Sequence, residues 1–255
     1  QLAVDGAANS MPTLTDLGSG ELAFTSMAWG LHTFGLSDWA GRLPLALWAL
    51  AGVAVLYVFV ARFCSARAGL YAAVALCTMP LYFMHARTML GDVVTMVAFA
   101  AAFAGLTGAL LDEGWRVVAW LALGAAGLVC GFLSRGALLS VAAPLLGVGL
   151  SWLVVAGSRM GESWQRGRRF VLGTSLLLAG MVVFYLGVET LHDQGRDARV
   201  LRRVLGFQLL AKAPASATFD LTVRELGHAL FPWSALLPLA FGRLVSLPRS
   251  LPAGT

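Results

Sequence analysis

Leu43-Pro44-Leu45-Ala46-Leu47-Trp48-Ala49-Leu50-Ala51-Gly52-Val53-Ala54-Val55-Leu56-Tyr57-Val58-Phe59-Val60-Ala61 contains no charged side chain. A helix that crosses the hydrocarbon core of a bilayer needs about 20 mostly apolar residues. Inside lipid a backbone must satisfy its own hydrogen bonds, which a helix does. The stretch therefore reads as a membrane-spanning helix. Residues 93–111, 117–133, 137–156 and 170–188 repeat the pattern. The run 69–84 is shorter, and Pro80 near its end can bend it. The run 226–241 is broken by Pro232 and Pro238 and reads as a kinked last span. The expected fold is an all-α polytopic membrane helix bundle of about seven spans. Residues 21–36, moderately apolar and carrying Trp29 and Phe34, read as an N-terminal interfacial helix.

Composition agrees. Of 255 residues 58% are hydrophobic and 12% charged, and the mean hydropathy is +0.78. Soluble domains are nearer 45–50% apolar and about 25% charged. Cys64, Cys77 and Cys130 lack metal-site spacing and suggest no disulfide framework. The net charge of +5 points to anionic lipid partners and not to nucleic acid. Trp39, Trp48, Trp115, Trp152 and Trp233 fall near span ends, where aromatic belts form. The chain opens at Gln1 without Met and closes on Pro252-Ala253-Gly254-Thr255, which reads as an internal piece of a longer protein.

The spans place their connections alternately on two sides. One side carries Arg62 to Arg67, Asp112 to Arg116, and Ser158 to Arg169. The other carries Arg42, the Arg87–Asp92 turn, the Ser134-Arg135-Gly136 turn, and a loop from about Thr190 to Arg224. The short loops of the first side are richer in Arg, which assigns that side to the cytoplasm. The expected segmentation is 1–42 extracytoplasmic with the interfacial helix, 43–189 transmembrane bundle, 190–224 extracytoplasmic loop, and 225–255 kinked span with a cytoplasmic tail.

Arg42, Arg87, Asp92, Arg135 and His228 then share the extracytoplasmic face. A carboxylate among guanidinium groups suits chemistry on a phosphate-bearing lipid. Arg offers a rigid fork of donors matched to phosphate oxygens, and Asp can orient or deprotonate a hydroxyl. Taken singly, these Arg residues also fit as interface anchors that snorkel to headgroups, and Asp92 fits as a helix N-cap.

Four stretches resemble the GT-C membrane glycosyltransferases of the protein mannosyltransferase and lipid A aminoarabinose transferase group. Phe34-Gly35-Leu36-Ser37-Asp38-Trp39-Ala40-Gly41-Arg42-Leu43-Pro44 is similar to the family's FG-x-S-E-W-A-x-R-L-P. Ala61 to Leu70 is similar to G-R-R-L-F-G-R-R-A-G-L, and Ala86-Arg87-Thr88-Met89-Leu90-Gly91-Asp92 to A-R-T-x-x-x-D. Leu230-Phe231-Pro232-Trp233-Ser234-Ala235-Leu236-Leu237-Pro238 is similar to L-F-P-W-S-x-L-L-P. Their order and spacing cover most of the chain from Phe34 to Phe241.

The resemblance implies transfer of a sugar from a polyprenyl-phosphate donor to a protein or glycolipid acceptor outside the cytoplasm, in a bacterial inner (plasma) membrane. It implies that Asp92 holds the family's second acidic position, catalytic or metal-holding. It places Arg135 where the family usually has Lys, with Arg87, Arg135 and Arg42 as donor-phosphate residues and His228 as a further candidate. The cofactor is unknown, with a divalent metal one candidate. The family's Asp-Glu loop would fall upstream of Gln1, and its D/E-K-P-P turn has no match in Asp16-Leu17-Gly18-Ser19-Gly20-Glu21. These departures keep an inactive GT-C relative, or a membrane transport or assembly subunit, as the alternative. Charges at span ends, not mid-span, argue against transport.

Glu189, His192 and Asp193 have spacing that could suit a metal, but a solvated loop start is the favoured reading. His85, beside Arg87, is left unassigned. Gly124, Gly127 and Gly131 are expected to permit close helix packing. No phosphate-cradling glycine loop and no nucleophile elbow is present, consistent with a preactivated lipid donor.

Overall fold

The computed structural model describes residues 22–88, 92–157 and 164–194, together with positions 200, 204, 227, 230–236, 238–240 and 242. Its regular elements are helical, with no strand among the described residues. The first helix, α1, is Leu22–Phe34, and α2 is Asp38–Phe63. Next come α3, Ala66–Thr78, and α4, Pro80–Arg87. Helix α5 is Asp92–Leu111 and α6 is Arg116–Ala137. A π-helical turn over Leu138–Ala142 leads into α7, Ala143–Gly157. Helix α8 is Trp164–Gln194.

Each apolar run between residues 43 and 188 is helical, and the punctuation between them is local chemistry. Ser65 accepts a hydrogen bond from the Ala68 amide at 3.1 Å and so caps α3. Pro80 cannot donate to the preceding turn, so the 69–84 run bends by 66° between Thr78 and Pro80, and Pro80 starts the second helix. Gly136 adopts φ 78° and ψ −179°, a region essentially reserved for glycine, and breaks α6 from α7.

Four helices among the described residues are long and apolar enough to cross a membrane, and five if the bent α3–α4 pair counts as one span. One of the four, Arg116–Leu153, contains the break at Gly136. The chain reverses there. Trp120, near the start of α6, lies against Gly108 of α5, while Trp152, near the end of α7, shares a cavity with Leu110 and Leu111 of the same helix. These are the two separate spans expected over 117–133 and 137–156. The protein is an integral membrane helix bundle.

Helix α5 is its hub. The apolar window of α5 is 67% buried, against 22% for α2, so α5 faces protein where α2 faces lipid. One core joins Ala23 and Met27 of α1, Leu45 and Ala49 of α2, and Val93, Val94 and Val97 of α5. A second joins Leu106 and Leu110 of α5 to Leu145 and Val148 of α7. The contact of α5 with antiparallel α6 is made by glycines. A Cβ on Gly105 would strike the backbone of Gly124, and one on Gly127 the backbone of Ala102. Small residues at such crossings let helices approach closely where lipid removes the hydrophobic drive to associate. Gly131 serves the α6–α7 hairpin in the same way, since a Cβ there would lie 2.8 Å from Ser140 Cβ.

The expected N-terminal helix runs back along the first half of α2. Trp48 donates its indole N–H to Ser26 Oγ at 3.2 Å, and Gly30 lies against Ala40 and Pro44. The helix expected over 170–188 continues to Gln194, so the first residues assigned to the 190–224 loop are helical. The rest of that loop is outside the described residues apart from Val200 and Val204. The kinked 226–241 span is described only in part, with a 3₁₀ turn over Trp233–Leu236. Trp233 donates to Thr78 Oγ1 at 2.9 Å, which docks the Phe231-Pro232-Trp233 motif on the bend between α3 and α4.

Candidate functional site

Helix direction assembles the site. Asp92 occupies the first turn of α5 and Arg135 the last turn of α6. A carboxylate suits a helix N-terminus and a cation a C-terminus. Antiparallel packing of α5 and α6 therefore sets the two side by side, although they are 43 residues apart. Arg135 donates Nη2–H to Asp92 Oδ1 at 3.0 Å, with both side chains about three-quarters buried. One turn deeper, the hydroxyls of Thr95 and buried Ser134 hydrogen-bond across the same seam.

Helix α4 brings a third group. The last turn of α4 lies beside the start of α5 and sets His85 next to Asp92. Its Nδ1 lies 3.6 Å from Asp92 Oδ2. His85, Asp92, Thr95, Met96, Phe99, Ala100 and Arg135 line a cavity of about 550 Å³. The cavity is polar at the helix ends and apolar below, a shape that suits a headgroup above a lipid chain.

The structure thus joins Asp92 to Arg135 and adds His85, which sequence reading left unassigned. It does not bring Arg42 or Arg87 into contact with them. The Arg87 guanidinium lies over the Phe83 ring, 5.0 Å from its centroid. Arg42 is exposed near the start of α2. Both remain at the same end of the bundle as Asp92. His228 falls outside the described residues. Glu189, His192 and Asp193 lie on α8, not at a loop start, and no group of three His, Cys, Asp or Glu side chains among the described residues could hold a metal. Among the described residues, His85 is the one such neighbour within 4.0 Å of Asp92.

The opposite end of the bundle carries a different charge cluster. Asp112, 5% exposed, accepts from Arg62 Nε at 2.9 Å and Nη2 at 2.8 Å, from Trp120 Nε1 at 3.1 Å, and from the Glu113 amide at 3.0 Å. The Arg62 hydrogen bonds hold its carboxyl well below the usual carboxylate range. The Glu113 and Trp120 donors assist, against the opposing effect of burial. Phe59 and Phe63 pack on Trp120 around it. The Asp112 clamp ties α2 to the α5–α6 hairpin.

Residues 22–188 match the sequence model of the family described as dolichyl-phosphate-mannose-protein mannosyltransferase. Among solved structures, that of ArnT from Cupriavidus metallidurans in the apo state superposes with a TM-score of 0.62 at 18% identity. The alignment covers 97% of this chain and 45% of ArnT, so the chain spans less than half the length of that structure. The likeness is one of fold, the GT-C membrane bundle. No curated protein matches the sequence. With a family match that runs from α1 into α8, and a GT-C bundle behind it, the chain belongs to the dolichyl-phosphate-mannose-protein mannosyltransferase family.

Proposed function

We propose that this chain is part of a glycosyltransferase that moves a sugar from a polyprenyl-phosphate donor to a protein or glycolipid acceptor on the extracytoplasmic face. The Asp92–Arg135 pair at the rim of the 550 Å³ cavity carries this reading. Arg135 uses one donor on Asp92, and a guanidinium has five. The others are available to a phosphate, whose departure with the bonding electrons they would stabilise. Arg87 and Arg42 add positive charge at the same end and draw the anionic donor to it. Asp92 holds Arg135 in place and orients or deprotonates the acceptor hydroxyl. The lipid phosphate is already a good leaving group, so positioning and charge neutralisation supply most of the catalysis.

The test uses membranes containing the full-length native protein. They are supplied with polyprenyl-phosphate mannose and, separately, polyprenyl-phosphate aminoarabinose, each labelled in the sugar. Label should pass to membrane protein or glycolipid, and Asp92→Asn should reduce the rate about 10²-fold, the usual worth of a positioned acid–base group. Transfer that Asp92→Asn leaves intact would remove Asp92 from the mechanism. Donor binding without turnover in the wild type would favour an inactive relative.

A further inference from the structure

The Asp92 carboxylate is divided between two partners, with Oδ1 on Arg135 and Oδ2 facing His85. His85 Nδ1 is buried and makes no hydrogen bond, although it lies 3.6 Å from that oxygen. The imidazole lines the same cavity as Asp92 and Arg135. We propose that His85 is the group that receives the acceptor's proton, and that Asp92 positions and balances the imidazole. The proposal rests on the transferase reading above.

Chemistry favours this division of labour. Carboxylates ordinarily hold a proton only below about pH 4 and imidazoles below about 6.5, and a base works best when matched to the operating pH. An Asp also serves well as orienter, fixing one imidazole tautomer while the other nitrogen does the work. A 3.6 Å approach is the loose geometry expected before substrate draws a catalytic hydrogen bond tight.

In the step, the acceptor oxygen bonds to the anomeric carbon of the sugar. The bond from that carbon to the phosphate oxygen breaks, and its electron pair leaves with the polyprenyl phosphate. The acceptor's hydroxyl proton passes to His85 Nε2, while Nδ1–H points at Asp92 Oδ2. The imidazolium is then faced by the Asp92 carboxylate and releases its proton to water or to the departing phosphate.

Among the described residues, the charged surroundings are few. From α5 comes Asp92, and from α6 Arg135. On α4 itself, Arg87 lies over Phe83, and the Tyr82 hydroxyl donates to the Ala49 carbonyl of α2 at 2.7 Å. Among the described residues, Asp92 is the one acid within 4.0 Å of His85.

The experiment measures kcat and donor KM for the full-length protein from pH 5 to 9 with polyprenyl-phosphate mannose, and with polyprenyl-phosphate aminoarabinose if the first donor is not turned over. Wild-type kcat should rise with pH through one inflection and level off. His85→Gln should lower kcat about 10²-fold, leave donor KM within about twofold, and lose the inflection. Added imidazole should restore part of the kcat of His85→Ala. A His85→Gln enzyme that keeps its rate and inflection overturns the role of His85 and leaves the transferase reading standing. A wild-type profile that is flat across the measured range overturns it whatever the variants do. A wild type that transfers neither sugar overturns both readings.

Discussion

At the residue scale, two ion pairs at opposite ends of the bundle have different work to do. The Asp92–Arg135 pair is about three-quarters buried at the rim of a cavity, and Arg135 spends one of its donors on Asp92. Arg135→Ala removes a charge-assisted contact worth about 1.5–3 kcal/mol, so donor KM should rise about 10- to 100-fold. Arg135→Lys keeps the charge but not the fork, and should fall between the two in the same transfer assay. The Arg62–Asp112 clamp instead buries its carboxylate under an exposed guanidinium, and its effect is on stability. The Asp112 carboxyl sits lower in the folded protein than in the unfolded chain. Its contribution is therefore fully present above the unfolded value of about 4 and is lost as pH falls below it. Melting temperature in detergent should drop between pH 4.5 and 2.5 more steeply for wild type than for Asp112→Asn, which should melt lower at pH 7. Parallel curves would show that the clamp does not carry the acid sensitivity. Asp92 and Arg135 were legible in the sequence because span ends expose charge. The clamp was not, because Arg62 and Asp112 are 50 residues apart and each reads alone as a solvated loop residue.

At the element scale, the breaks position the chemistry. Gly136 sits beside Arg135 and holds a backbone conformation that other residues adopt only under strain. Gly136→Ala should cost about 1–3 kcal/mol and shift the end of α6 away from Asp92. It should lower both thermal stability and transfer, whereas Gly114→Ala, also at positive φ but in the loop at the far end, should lower stability alone. Equal loss of transfer in the two would detach the break from the site. The span boundaries, the bend at Pro80 and the close-packing role of Gly124, Gly127 and Gly131 could all be read from residue type and spacing. The place of His85 could not. It depends on how the end of α4 packs beside the start of α5, and no periodicity encodes the distance between two helix ends.

At the scale of the whole molecule, the antiparallel spans sort the ionisable groups into two sets. His85, Arg87, Asp92, Arg135 and Arg42 gather at one end. Arg62, Arg67, Asp112, Glu113 and Arg116 gather at the other. A polyprenyl-phosphate donor has its headgroup at one membrane surface, so the proposed chemistry requires the first set to face outward together. Native Cys64 is exposed beside the second set, immediately after α2, and reports on its side of the membrane. Replacing Cys77 and Cys130 by Ala leaves Cys64 alone. A membrane-impermeant maleimide should then label Cys64 in inverted vesicles and not in intact cells. Trp39→Cys in a Cys64→Ala background should behave in the opposite way, because Trp39 is 57% exposed at the start of α2, one helix length away. Labelling of Cys64 from outside would place Asp92 and Arg135 on the cytoplasmic surface. Their geometry would be unchanged, but the acceptor would have to be a cytoplasmic one, and an extracytoplasmic transferase would be ruled out by topology alone.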